Sequence, residues 1–206
     1  MVCDVYGQLK RRILLAEYRP GQSLHEQELA QEFGVSRTPI REAFIRLQAE
    51  GWVVMAKGRG VRVSEPSVRE LKEACELRHQ LDGFVGKLVP ERVTPEELAG
   101  MKALLQRMRS ETEAAELRAL DLAFHEAMDR ATHNELLRQT LEGLRQRMTR
   151  VWDLAVPAGQ DRYFAGIADE FTALVKAIER KDGEECTRIL RAHLARYIDQ
   201  IIAIRG

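Results

Sequence analysis

The stretch from Gly34 to Leu47, Gly-Val-Ser-Arg-Thr-Pro-Ile-Arg-Glu-Ala-Phe-Ile-Arg-Leu, admits few local structures. Ser36 can cap a helix through its hydroxyl, and Pro39 falls in the first turn, where a missing N–H removes no intrahelical bond. At about 100° per residue, Ile40, Ala43, Phe44 and Leu47 gather on one side, while Arg37, Thr38 and Arg41 point elsewhere near the N-terminal end. A helix here must bury one face and present a basic, hydroxylated end. Such an end is either an ordinary solvated surface or a contact for an anion.

The neighbouring residues favour the second reading. Upstream, Ser23-Leu-His-Glu26 fits a capping box opening a helix through Leu29, Ala30 and Phe33, and Gly34 can supply the left-handed residue that ends it. Downstream, Glu50-Gly51 ends the basic helix, Trp52 to Met55 reads as a strand, Lys57-Gly-Arg-Gly60 as a turn and Val61 to Val63 as the return strand. Two helices joined by a tight turn and followed by a basic hairpin form a helix-turn-helix with a wing. An earlier helix is predicted from Val5, Leu9, Ile13 and Ala16 on one face, broken by Pro20-Gly21. Its Lys10-Arg11-Arg12 run is read as a solvated helix face in preference to a phosphate contact.

In these residues the chain resembles the amino-terminal domain of GntR-family bacterial transcription regulators. The family pattern Leu-Ala-x-x-x-Gly-Val-Ser-Arg-Thr-Pro-hydrophobic-Arg-Glu-Ala runs here from Leu29 to Ala43. The resemblance implies a winged-helix homodimer on double-stranded DNA, with the second motif helix in the major groove and the wing tip toward the minor groove. By position it assigns groove and phosphate contacts to Ser36, Arg37, Thr38 and Arg41, and wing contacts to Lys57, Gly58, Arg59 and Gly60. Gln27 stands where some members carry a further arginine. Two-fold symmetry in turn predicts a near-palindromic operator.

The 206 residues, 45% of them hydrophobic, suffice for two modest domains with real cores. Residues 1–64 carry 10 basic and 7 acidic side chains, net +3, and the remainder carries 22 and 25, net −3. That division agrees with a DNA-facing head and a second body of another kind. Ser64-Glu-Pro-Ser67 marks the change from alternating to helical spacing, so the predicted domains are 1–64 and 65–206. Cys3, Cys75 and Cys186 lack metal-type spacing and read as small core residues in a reducing compartment. With no signal peptide and no apolar run of about 18 residues, the expectation is a cytoplasmic protein without a membrane span.

From Ser67 onward only helical stripes appear, separated by Pro90, Thr94-Pro95, His133-Asn134, Pro157-Ala-Gly159 and Asp182-Gly183. They predict an all-helical bundle of about six helices, and the breakers interrupt any sustained coiled-coil heptad. Three features stand inside the apolar stripes. Arg78 projects among Leu71, Ala74, Cys75, Leu81 and Val85, so it needs either an internal carboxylate or a ligand's carboxylate. Asp121 and His125, one turn apart beside Phe124, can share a divalent metal or bond each other. His193 projects within the face formed by Ile189, Leu190, Leu194 and Tyr197, where a histidine is either a satisfied core residue or a ligand.

Asp121-x-x-Phe124-His125, then Ala177-Ile178 before Asp182-Gly183, then Ala192-His193-Leu194 resemble the FCD effector domain of the FadR-type branch. The resemblance implies a divalent metal, zinc or similar, held by an Asp and three His, with a small carboxylate effector beside it. Asp121, His125 and His193 match three of those positions; at the fourth, after Glu170, stands Phe171. The fold expected is therefore mostly α, an N-terminal winged helix-turn-helix plus a C-terminal all-α bundle. The expected function is a ligand-responsive, sequence-specific transcription regulator, a repressor controlled by a small organic acid bound near Arg78, and not an enzyme. The competing readings are a metal-dependent hydrolase built on the open triad, and a DNA binder without an effector.

Overall fold

The apolar stripe of the motif helix is the centre of the first of two units. In the computed structural model, which describes residues 4–56, 60–155 and 166–205, the chain divides into Met1–Ser67 and Val68–Gly206. The first unit runs α1 (Val5–Leu14), β1 (Ser23–Leu24), α2 (Glu26–Phe33), α3 (Arg37–Ala49), β2 (Val53–Ala56) and β3 (Gly60–Val63). Ile40, Ala43, Phe44 and Leu47 of α3 are buried against Val5, Leu9 and Ile13 of α1, Leu29 and Ala30 of α2, and Trp52, Val53, Val61 and Val63. The strands form an antiparallel sheet in the order β1-β3-β2. Gly34 ends α2 with φ 65°, the left-handed turn expected between the two motif helices.

Three local expectations are corrected. Ser23 does not open a capping box: it pairs across the sheet with Arg62, and His25 takes the N-cap of α2 without a side-chain bond. Ser36 is the N-cap of α3 with extended backbone, yet its side chain makes no capping bond. Ala16 lies past the end of α1, exposed and with φ 56°, so the buried stripe stops at Ile13. Within the basic run of α1, Lys10 and Arg12 have partners inside the unit. Lys10 Nζ donates to Glu50 Oε2 at 2.7 Å, Tyr6 Oη to Glu50 Oε1 at 2.5 Å and Trp52 Nε1 to Glu50 Oε2 at 3.0 Å, while Arg12 pairs with Tyr18 and Glu32. Glu50 thus ties α1, the end of α3 and the start of the sheet together. Burial works against its charge, but these donors outweigh it and leave its pKa below the usual carboxylate value.

The second unit contains α4 (Val68–Arg92), α5 (Pro95–Ser110), α6 (Ala114–Ala131), α7 (Glu135–Ala155), α8 (Ile167–Glu179) and α9 (Gly183–Arg205). They enclose one core that includes Val85, Met101, Phe124, Met128, Leu141, Phe171, Leu174 and Leu190. Thr94 and Glu97 form the reciprocal capping box that starts α5, with Pro95 in its first position. Pro90 does not break α4, contrary to its sequence reading; it lies in the last turn, where the helix is already ending at Arg92. The break expected at Pro157-Ala-Gly159 falls outside the described residues. Cys75 and Cys186 are buried free thiols, pushed by burial to about 11 and about 12, as inert core residues should be.

A close backbone approach between α4 and α9 is made by glycine. A Cβ on Gly86 would stand 2.7 Å from the Thr187 backbone nitrogen and 2.8 Å from its Cα, contacts no side-chain rotation relieves. Gly86→Ala should therefore force α4 and α9 apart and destabilise the second unit by about 1–3 kcal/mol. Gly100→Ala in α5, where a Cβ meets nothing within 4 Å, should be neutral or stabilising by roughly 0.5–1 kcal/mol. Urea unfolding of the two variants side by side checks the contrast.

Candidate functional site

Two groups of residues carry chemistry that packing does not require. The first is the exposed end of α3. Ser36, Arg37, Thr38 and Arg41 are all solvent-exposed, because the residues between and beyond them supply the buried stripe. Gly60 is exposed with φ 76° at the start of β3; Lys57, Gly58 and Arg59 lie outside the described residues. Arg37 Nη2 donates to Gln27 Oε1 at 2.9 Å and Arg41 Nε to Glu26 Oε2 at 2.8 Å.

The second group lies inside the bundle. Asp121 and His125 sit one turn apart on α6, and His193 reaches them from α9. His125 Nε2 and His193 Nε2 are 3.1 Å apart, and Asp121 Oδ1 stands 3.6 Å from the first and 3.9 Å from the second. One donor atom from each of the three lies within 4.8 Å of the others. Asp121 Oδ1 is buried with no hydrogen-bond partner, an arrangement that costs free energy unless a cation or a donor satisfies it. Donors at about 2.0–2.2 Å from one zinc ion stand roughly 3–3.5 Å from each other, so the three atoms fit a common divalent ion with only small adjustment.

The surroundings fix this geometry. His193 Nδ1 lies 3.1 Å from Glu170 Oε2, a contact that places a proton on that ring nitrogen and leaves Nε2 to meet His125 Nε2 at 3.1 Å. Glu170 Oε1 in turn accepts from Arg196 at 2.9 Å. Burial opposes the charge on Glu170, but His193 and Arg196 outweigh it and lower its pKa. Asp121 is pushed up to about 6 by burial, with His193, Arg145, Arg78 and Arg196 pulling in the opposite direction. Burial drives His125 well below its ordinary range, and His193, Arg78 and Arg145 add to the effect. His125 is therefore a neutral imidazole, the form that ligates.

Phe171 closes one side of the group. It is buried, stacks on Phe124 with ring centroids 4.2 Å apart, and meets His125 edge-on at 5.5 Å and His193 at 5.1 Å. A ring packed this way offers no ligand atom, so among the described residues the candidate donors here are Asp121, His125 and His193. Arg78, one of the two open readings above, has an internal partner: its Nε donates to Asp82 Oδ1 at 2.6 Å, and both side chains are buried. The structure adds Asp82, Asp129, Arg145 and Arg196 to the surroundings of the site, and gives Glu170 a role beyond its place before Phe171. Asp82 was detectable as the i+4 neighbour of Arg78, and Asp129 as a third member of the series Asp121, His125, Asp129. Arg145, which pairs with Asp129 at 2.5 Å, and Arg196 come from helices whose packing the sequence does not announce.

Comparison with known proteins agrees with both halves. Residues 2–63 match the model of the bacterial regulatory proteins of the gntR family, and residues 73–196 match the FCD domain. The chain is a GntR-family transcription regulator with an FCD domain. This regulator is 29% identical over 191 residues to the Nta operon transcriptional regulator of Aminobacter aminovorans, covering 91% of this chain and 88% of that one. It is 28% identical over 180 residues to a probable D-xylose utilization operon transcriptional repressor of Paenarthrobacter nicotinovorans, covering 86% and 78%. Its fold superposes on E. coli McbR/YncC with a TM-score of 0.81 at 24% identity, over 98% of this chain and 97% of that one. Among the described residues of the regulator, no helix is long and apolar enough to cross a membrane.

The raised pKa of Asp121 has a direct consequence for the metal-free protein. Between the ordinary value of 3.8 and about 6, the folded state holds a proton that the unfolded chain has released, so this group's contribution to stability falls as pH rises through that window. Asp121→Asn should flatten this part of the pH dependence and raise the stability of chelator-treated protein near pH 7. Urea midpoints of both proteins at pH 5 and pH 7.5 provide the comparison.

Proposed function

We propose that the regulator is a homodimeric repressor which reads a near-palindromic operator through the exposed end of α3, and whose bundle holds a divalent metal and a small carboxylate effector. For DNA, the support is chemical: Arg37 and Arg41 are exposed cations beside the hydroxyls of Ser36 and Thr38, on a helix whose other face is committed to the core. Arginine at such a place can fork onto guanine O6 and N7, while hydroxyls suit phosphate oxygens. The basic residues Lys57 and Arg59, with Gly58 and Gly60, are assigned to the wing. The repressor assignment follows the name of the Paenarthrobacter relative.

For the bundle, the single observation that carries the reading is the unpartnered, buried Oδ1 of Asp121 facing two imidazole nitrogens. Asp121, His125 and His193 would hold a zinc-like ion, and Glu170 orients His193 for it. Such an ion supplies an open coordination position suited to a carboxylate oxygen. Arg78, Arg145 and Arg196 stand near the site, each with a carboxylate partner of its own, so the bound cation is what would favour an anionic effector. In this reading Arg78 would meet the effector by exchanging Asp82, to which its Nε donates, for the ligand's carboxylate. A hydrolytic use of the triad has less behind it, since the named relatives are transcription regulators.

Replacing Arg37 or Arg41 by Ala should weaken binding to a selected duplex by about 1–3 kcal/mol, with the loss concentrated at one base position per half-site. Replacing Lys57 or Arg59 should instead lower affinity evenly across sequences and flatten the salt dependence. Fluorescence anisotropy over a series of salt concentrations separates the two patterns. A double Arg37/Arg41 variant that binds with wild-type strength and selectivity would contradict the assignment of α3.

A further inference from the structure

The ion pair between Arg41 and Glu26 is exposed at one end and half-buried at the other. The Arg41 side chain is 60% exposed, whereas Glu26, in the first turn of α2, is 28% exposed. A pair of this kind adds little to stability, so its consequence lies in what it does to the guanidinium. A free arginine samples many rotamers and can meet an acceptor pair by either of two forks, Nε with one Nη or both Nη groups together. With Nε donated to Glu26 Oε2 at 2.8 Å, the first fork is occupied. The two Nη groups remain as the outward pair of donors.

We propose that Glu26 is a positioning residue for sequence recognition: through α2 it holds Arg41 so that both Nη groups meet a guanine edge end-on, and its charge weakens attraction to phosphate in general. The inference rests on the reading of α3 as the groove helix. Two physical effects follow from one carboxylate. Ordering the guanidinium before binding reduces the entropy lost on the correct site. A fixed negative charge beside the backbone of any duplex lowers affinity for all sequences alike. Together they raise the ratio of specific to non-specific binding. Gln27, whose Oε1 accepts from Arg37 Nη2 at 2.9 Å, orders the neighbouring arginine without adding charge.

A purely structural role for Glu26 predicts something else. An acidic residue in the first turn complements the positive end of the α2 dipole, and aspartate would serve there equally well. Aspartate is one methylene shorter, however, and loses the reach to Arg41.

The test uses the full chain, a duplex selected by the wild-type protein from randomised double-stranded DNA, its single-base variants, and one unrelated duplex. Glu26→Ala and Glu26→Asp should each lower the ratio of selected to unrelated affinity by about 2- to 10-fold. The relaxed base position should be the one that Arg41→Ala also relaxes. Glu26→Ala alone should in addition bind the unrelated duplex more tightly than wild type. If both Glu26 variants keep the wild-type ratio while Arg41→Ala relaxes a position, the positioning role is wrong and the groove assignment stands. If Arg41→Ala changes nothing, the groove assignment fails and takes this proposal with it. Affinities for both duplexes falling together, in step with a lowered melting temperature, would also overturn it, by assigning Glu26 to the fold alone.

Discussion

A carboxylate oxygen buried without a donor is the constraint around which the second unit is arranged. Asp121 Oδ1 lies inside the bundle with no hydrogen bond, and the groups around it do not neutralise it. The nearby guanidinium groups are already committed: Arg78 to Asp82, Arg145 to Asp129 and Arg196 to Glu170. Each such pair is internally balanced, so none of the three arginines stands as a dedicated counter-ion to Asp121. His125 is held neutral by its burial, and His193 has its Nδ1 turned to Glu170. What remains facing Asp121 is two imidazole nitrogens, hydrogen-bonded to each other at 3.1 Å, and the three groups together are a donor set that one divalent cation would satisfy.

Phe171 sets the limit on that site. Its ring is pinned against Phe124 and meets both histidines, so it closes part of the α8 side with an apolar wall, while its neighbour Glu170 reaches His193 from the same helix. The α6 and α9 sides are polar and carry all three donors. In the proposed site one side of the ion would be left for a ligand from outside the protein, against an aromatic wall. With three protein donors instead of four the ion would be held more weakly, and protonation of an imidazole would release it at a higher pH.

Most of the architecture could be read from periodicity, because a stripe of apolar residues at helical spacing has few ways to be buried. The stripes of α3, α6, α8 and α9 predicted the residues that fill the two cores, and the glycine at position 34 marked the turn between motif helices. Phe171 shares the buried face of α8 with Ile167, Leu174, Val175 and Ile178, where a ring packs rather than ligates. What could not be read was set by tertiary pairing. Ser23 looks like a cap until β3 arrives to pair with it, and Pro90 looks like a break until the helix is seen to end two residues later. Convergence of Asp121, His125 and His193 depends on where the packing of α9 on α4 and α8 brings His193 relative to α6, which no local pattern encodes. The resemblance of the motifs to a known effector domain supplies that expectation, and in the structure one donor atom from each of the three lies within 4.8 Å of the others.

The central claim is that Asp121, His125 and His193 share one divalent ion, with Phe171 denying it a further imidazole. X-ray absorption at the zinc edge, on full-length protein loaded with one equivalent of zinc, tests this most directly. The account predicts about one tightly held zinc per chain with two imidazoles, oxygen ligands and no sulfur. Zinc that fails to bind, or binds with fewer than two imidazoles or with cysteine sulfur in its shell, would contradict it.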